Sequence, residues 1–137
     1  MMDEIIKGIK YRLNEEALTA EVIRNTRYEG DIIIPETVAL NEISYRVTSI
    51  GCGAFHGCSS LTSIVIPDGV TSIGKRAFQY CSSLTSIVIP DGVTTIGQSA
   101  FDGCSSLASI VVAEGNTVYD SRENCNAIIK TTTQLEQ

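Results

Sequence analysis

A 23-residue sequence occurs three times in direct succession, and it limits what the chain can fold into more than any other feature. Residues 47–69 read VTSIGCGAFHGCSSLTSIVIPDG, residues 70–92 read VTSIGKRAFQYCSSLTSIVIPDG, and residues 93–115 read VTTIGQSAFDGCSSLASIVVAEG. Because the copies follow one another without insertion, each copy is expected to form one coil of a solenoid. A single coil cannot bury its own apolar face, so neighbouring coils must cover it. The repeat therefore predicts three stacked coils.

The second half of each repeat predicts a short strand followed by a turn. Leu61, Ile64 and Ile66 fit the pattern L-x-x-I-x-I, in which these side chains point inward from a strand. The Pro-Asp-Gly sequence at residues 67–69 is typical of a tight turn. A period of 20–29 residues that carries this pattern is the signature of a leucine-rich repeat.

The first half of each repeat predicts a second short strand and a compact turn. Val70 and Ile73 alternate with polar residues, and Gly74 interrupts this strand. Residues 77–81 then place Ala, Phe and Cys about one helical turn apart, which predicts a short helix or 3₁₀ turn. The predicted fold is a mainly β solenoid with short helical or 3₁₀ turns, coiled in the right-handed sense.

Stacking the coils predicts columns of equivalent residues about 4.8 Å apart. The apolar columns are expected to form the core. They are Ile50, Ile73 and Ile96; Phe55, Phe78 and Phe101; Leu61, Leu84 and Leu107; and Ile64, Ile87 and Ile110.

The two ends of the chain depart from the repeat and are expected to cover its edges. Residues 1–46 contain two alternating segments, 9–13 and 18–22, which predict a β-hairpin cap. Residues 31–35 resemble a degenerate repeat strand and complete a first coil. Residues 47–115 hold the three repeats, and residues 116–137 are predicted to form a partial coil and a polar tail.

The charge pattern argues against two classes of partner. The chain has 16 acidic and 10 basic residues, and Lys75 and Arg76 are its only adjacent cations. Phosphate-backbone binding needs clustered Lys and Arg, so nucleic acid is not expected. No apolar run is long enough to insert into a membrane, and the acidic N-terminus lacks a signal-peptide pattern. If Met1 is the native start, these features predict a cytoplasmic protein.

The motif AFHGCSSLTSIVIPDGVTSIG at residues 54–74 resembles the BspA-like leucine-rich repeat family. The segments 45–51, 119–122 and 125–129 are also similar to this family. The resemblance implies a surface or secreted adhesion protein whose partner is a host extracellular-matrix or cell-surface protein.

Three of the five cysteines, Cys58, Cys81 and Cys104, occupy one repeat position. An odd number excludes a complete set of intramolecular disulfides. Parallel Cβ atoms about 5 Å apart exceed the separation that a disulfide prefers, and a straight column does not converge on a zinc ion. We expect free thiols that fill the interior, and Cys52, at a variable position, is the candidate for an exposed thiol.

No set of residues predicts catalysis. His56 is the only histidine, the serine pairs recur as turn and capping residues, and no nucleophile-elbow, P-loop or HExxH motif occurs. Asp68, Asp91 and Glu114 form an acidic column that could attract calcium, but the turn geometry explains the two aspartates. We expect no enzyme activity, no metal site and no cofactor.

Leucine-rich repeats commonly bind partners through the outward positions of the strands, which form a regular grid. Here that grid is small and neutral, and its valines form an apolar stripe. The predicted partner-binding residues of this sheet face are Thr62, Ser63, Val65, Thr85, Ser86, Val88, Ser109 and Val111.

The convex side, where the repeats differ, offers a second candidate surface. Arg76 and Tyr80 lie four residues apart and belong to the residue types that dominate interface hot spots. Two functions remain open. The first is a non-enzymatic protein-binding module of the adhesion type. The alternative is a self-associating structural unit, a homo-oligomer formed through the terminal coil or a sheet edge.

Overall fold

A computed structural model describes residues 1–25 and 28–113, and beyond them the backbone of two short strands at 119–120 and 129–130. The chain forms a β-solenoid of about four turns, and no helix occurs among the described residues. The strands are β1 (Met2–Ile6), β2 (Ile9–Asn14), β3 (Thr19–Val22), β4 (Gly30–Ile33), β5 (Thr37–Leu40), β6 (Ile43–Ile50), β7 (Leu61–Val65), β8 (Ser72–Ile73), β9 (Ser86–Ile89), β10 (Thr95–Ile96), β11 (Ser109–Val112), β12 (Tyr119–Asp120) and β13 (Ile129–Lys130).

The N-terminal cap is a three-stranded antiparallel unit. The predicted hairpin is confirmed, because β2 pairs with β3 and sets Tyr11 opposite Val22. The strand β1, which the sequence analysis did not predict, adds to the other edge of β2. Lys7 and Gly8 both have positive φ values, 49° and 87°, and form the two-residue turn that suits a tight hairpin.

The long strand β6 joins the cap to the coils. It pairs in parallel with β3 on the cap side and with β8 of the next coil, and β10 continues the same sheet. The strand β5 pairs with β6 across a turn at Asn41 and Glu42, both of which have positive φ. One sheet therefore runs from the cap into the repeats and forms the first wall of the solenoid.

The second wall consists of the parallel pairs β4–β7 and β9–β11. In the first pair, Asp31 lies opposite Ser63 and Ile33 opposite Val65. Residues 31–35 thus take the place of a repeat strand, as their similarity to residues 63–67 predicted. The register of β9 and β11 sets Val88 opposite Val111. Equivalent residues of successive coils lie side by side on this wall.

The phenylalanine column lies at the centre of the core. The Phe55 and Phe78 rings are stacked with centroids 5.1 Å apart and an interplanar angle of 1°, and the Phe78 and Phe101 rings follow at 5.5 Å and 3°. Tyr28 packs against the first ring, with a centroid distance of 4.7 Å. Phe55 and Phe78 are fully buried, whereas Phe101 is half-buried. The cap thus closes the column at the N-terminal end.

The segments predicted as short helices are series of hydrogen-bonded turns. The amides of Ala54, His56 and Cys58 each donate to the carbonyl three residues earlier, at 3.1–3.2 Å. Gly53 and Gly57 have positive φ between these turns, so the bonds do not merge into a helix. The prediction of 3₁₀-like turns holds at the level of single turns, and the prediction of a helix is wrong.

The predicted C-terminal partial coil and tail, residues 116–137, lie mostly outside the described residues. Within this segment β12 and β13 pair antiparallel.

Candidate functional site

The predicted sheet-face residues all lie on the outer surface of the second wall, and the valines among them form a continuous stripe. Val65, Val88 and Val111 are 53%, 55% and 44% exposed. Ile33 of β4 extends the stripe beyond the repeats and is 71% exposed. We name these four residues the apolar stripe. Ile33 is not among the residues predicted for this face, although the similarity of residues 31–35 to residues 63–67 contains the signal.

Hydroxyl groups and one carboxylate border the stripe on one side. Thr62 Oγ1 and Ser63 Oγ donate hydrogen bonds to Asp31 Oδ1 at 2.9 and 2.8 Å. The bonds from Ser63 and Thr62 lower the pKa of the Asp31 carboxyl below its ordinary value, so Asp31 is ionised at neutral pH. In the next coils Ser86 and Ser109 occupy the equivalent position.

A groove of about 420 Å³ opens beside the first residue of the stripe. Ile33 belongs to both the groove and the stripe, which makes the two surfaces continuous. The groove lies between the cap and the first coil, so sequence reasoning confined to the repeats could not locate it. Its apolar lining includes Ile6, Ile9, Tyr11, Ile33 and Val38.

Arg76 and Tyr80, the convex pair, are both exposed and both have positive φ, 58° and 64°. The Tyr80 ring meets the His56 ring edge-on at a centroid distance of 5.6 Å and lies across Gly103 of the following coil. Arg76 and His56 line one cavity, and Tyr80 is not among the residues that line it. The structure thus gives the two residues of the pair different surroundings.

The cysteines of the repeat column are free and line the interior. The thiols of Cys81 and Cys104 donate to the carbonyls of Phe55 and Phe78, at 3.1 and 3.0 Å. The neighbouring Cys104 thiol and burial raise the pKa of Cys81 above its ordinary value. Cys52 is exposed.

These surroundings predict a large difference in thiol reactivity. In the native protein N-ethylmaleimide is expected to modify Cys52 within minutes, and Cys81 only when the protein unfolds, because the reactive thiolate is both shielded and disfavoured at Cys81. Peptide mass spectrometry after a time course measures both rates. Equal modification of the two residues in the native state would contradict the packing of the cysteine column.

Two residues of the acidic column lie among the described residues. Asp68 and Asp91 are exposed in successive turns, and Glu114 lies outside the described residues. Within the described part of the chain, no three His, Cys, Asp or Glu side chains are grouped to hold a metal ion. The same part contains no helix with the length and hydropathy needed to cross a membrane.

The coils, the stacked columns and the parallel strands define a leucine-rich repeat protein. The family model for the BspA-type leucine-rich repeat region matches residues 32–135 in six copies. The chain therefore belongs to the BspA-type leucine-rich repeat family. This family is generally a non-enzymatic repeat scaffold, and its members are commonly protein-interaction or surface proteins. No curated protein matches the chain.

Solved structures of bacterial leucine-rich repeat proteins share the fold. A leucine-rich repeat protein from Bacteroides ovatus is 39% identical with a TM-score of 0.72, over 80% of this chain and 29% of that one. The Treponema pallidum leucine-rich repeat protein is 30% identical with a TM-score of 0.68, over 80% of this chain and 50% of that one. The chain thus spans half or less of the length of these two relatives.

Proposed function

We propose that the protein is a non-enzymatic protein-binding module of the adhesion type that recognises its partner through the sheet face. The apolar stripe is the observation that carries the proposal. It comprises four aliphatic side chains on neighbouring strands, each about half exposed or more. Within the pairs β4–β7 and β9–β11 the strands have the usual ladder spacing of about 4.8 Å, and β7 lies beside β9. An apolar row on such a wall suits burial against another protein surface.

The surroundings of the stripe define the chemistry of the partner. The groove beside Ile33 has the volume to receive a large apolar side chain, as hot-spot pockets do. The carboxylates of Asp31, Asp68 and Asp91 lie in or beside the strands of the same wall and are exposed. A partner that presents an apolar ridge bordered by Lys and Arg would complement this face. We propose a host extracellular-matrix or cell-surface protein as that partner, since members of the family are commonly protein-interaction or surface proteins.

The double variant Val65→Glu/Val88→Glu tests the proposal. Two carboxylates within the stripe are expected to weaken partner binding by at least about tenfold, because they would be buried without counter-charges. The free energy of unfolding should change by only about 0.5 kcal/mol, since both positions are exposed. Biolayer interferometry against a panel of purified extracellular-matrix proteins at physiological salt measures the affinity, and urea denaturation measures the stability.

Ile5→Glu provides the matched control, because Ile5 is 58% exposed on the edge strand of the cap. This variant should bind like the parent chain. Equal binding by the double variant and the parent would contradict the sheet face as the binding surface, and failure of every matrix protein to bind would contradict the adhesion class.

The outer edge of the cap sheet favours self-association as the second candidate function. β1 is the outermost strand of its sheet and pairs only with β2 among the described strands. An edge strand presents backbone amides and carbonyls with which a second copy of the chain can pair. Light scattering over a concentration series in reducing buffer tests this candidate, and a monomer throughout would exclude it.

A further inference from the structure

The basic residues that are scattered in the sequence come together in the fold along one edge. A cavity of about 350 Å³ is lined by Arg24, Lys75 and Arg76, together with Cys52, Gly53 and His56. A second cavity, of about 420 Å³, is lined by Lys10, Arg12 and Arg24 among other residues. Arg24 and Cys52 line both cavities, so the two adjoin. We name this surface the basic edge.

The charge of the basic edge is opposite to that of the whole chain. Its two cavities are lined by five cationic side chains and by two carboxylates, those of Asp3 and Glu21. The local charge is therefore +3 in a chain whose formal net charge is −6. Lys7 and Arg46 are the only other cations whose side chains the structure describes. Such segregation concentrates a positive potential where the walls are concave.

Most of these cations have no counter-ion among the residues that the structure describes. Arg12 Nε donates to Asp3 Oδ1 at 3.1 Å, which is the one ion pair among the described residues. Lys10, Arg24, Lys75 and Arg76 thus have no carboxylate within 4.0 Å in the described part of the chain. Like charges gathered without partners repel one another, and an external anion would relieve that repulsion.

The backbone at Arg76 has the conformation that this position takes in every coil. Its φ is 58°, and the equivalent residues Gly53 and Ser99 have φ values of 63° and 61°. The conformation therefore belongs to the repeat, and the second coil differs from the other two at this position by its guanidinium group.

The His56 imidazole lies beside these cations and lines the same cavity. Its Nδ1 atom is buried and has no hydrogen-bond partner among the described residues. Buried polar atoms are normally paired. Because Nδ1 is closed off from solvent, a ligand in the cavity would reach this atom only after the imidazole ring turns.

We infer that the basic edge is a binding site for a compact ligand carrying two separate oxyanion groups, either sulfate or phosphate esters. One group occupies the cavity of Lys75 and Arg76, the other occupies the cavity of Lys10 and Arg12, and Arg24 lies between them. Guanidinium groups bind such oxyanions through paired N–H donors. The two volumes are those of small-molecule sites. This site is separate from the sheet face and does not depend on a protein partner.

Protection of Cys52 from N-ethylmaleimide measures occupancy directly, because this exposed thiol lies where the two cavities meet. Two probes distinguish the sources of the oxyanions: fructose 1,6-bisphosphate and a disulfated heparin disaccharide. At low ionic strength at least one probe is expected to slow the modification of Cys52, and inorganic sulfate should do so at least about fivefold more weakly because it fills one cavity. Protection by only one of the probes assigns the ester.

The double variant Lys75→Gln/Arg76→Ser places the residues of the third coil, Gln98 and Ser99, at the same positions of the second coil. The coil should therefore fold unchanged, while affinity for the protecting probe falls about tenfold. Lys7→Gln/Arg46→Gln removes the same charge outside the basic edge and should leave the affinity within about twofold.

Three results would overturn the inference. They are an absence of protection by both probes, equal losses of affinity in the two double variants, and protection by single-stranded RNA where neither small probe protects.

Discussion

Replacement of Phe78 by alanine is expected to lower the free energy of unfolding by about 3–5 kcal/mol. Phe78 is fully buried and stacks on Phe55 and Phe101 at centroid distances of 5.1 and 5.5 Å. Its removal leaves a cavity between two coils, and in a solenoid each coil is stabilised mainly by its neighbours. The loss is therefore expected to affect the whole repeat region.

Urea denaturation followed by circular dichroism measures this effect, and Phe101→Ala is the matched control. Phe101 is half-buried and stacks on one ring in the described column, so its replacement should cost less than half as much. Equal losses for the two variants would contradict the central place of Phe78 in the core.

Gly74→Ala is the second change with a large expected effect. A Cβ atom at residue 74 would lie 2.5 Å from the backbone nitrogen of Cys52 and 2.7 Å from the carbonyl carbon of Gly51. Those atoms belong to the preceding coil, and backbone cannot move aside as a flexible side chain can. The coils would have to separate locally, so the expected loss of stability is about 3 kcal/mol, at the upper end of the range for overpacked interiors.

Gly92→Ala is the control for this prediction. A Cβ atom at residue 92 would lie 3.2 Å from the nearest atom, the carbonyl oxygen of Asp68, and a small shift would accommodate it. Both substitutions restrict the unfolded chain equally, so the difference between them isolates the clash in the native state. The prediction fails if the thermal unfolding midpoints of the two variants agree.

The repeat made the core predictable from sequence. Because each coil repeats the same apolar positions, one unit sufficed to place the phenylalanine, isoleucine and leucine columns and the outward grid of the sheet face. The sequence also predicted the hairpin of β2 and β3 from its alternating pattern and the repeat-like strand at residues 31–35.

Gly74 has a second structural role, which the repeat pattern did not reveal. This glycine is predicted from the sequence to interrupt a strand, and β8 does end at the preceding residue. The structure adds that the backbones of neighbouring coils approach too closely there for any side chain. A contact between residues 52 and 74 depends on how coils stack, which the local sequence does not specify.

The repeat by itself thus determined the solenoid, its core columns and the three valines of the apolar stripe, since equivalent residues must align when identical coils stack. Only the tertiary structure decided what the cap adds to them. Parallel pairing of β3 with β6 sets Val22 opposite Ile50, and this register carries Arg24 to the edge where Lys75 and Arg76 lie. Cap residues have no period that relates them to the coils, so their neighbours depend on strand pairing between distant segments. For that reason the basic edge and the groove beside Ile33 could not be predicted from the sequence.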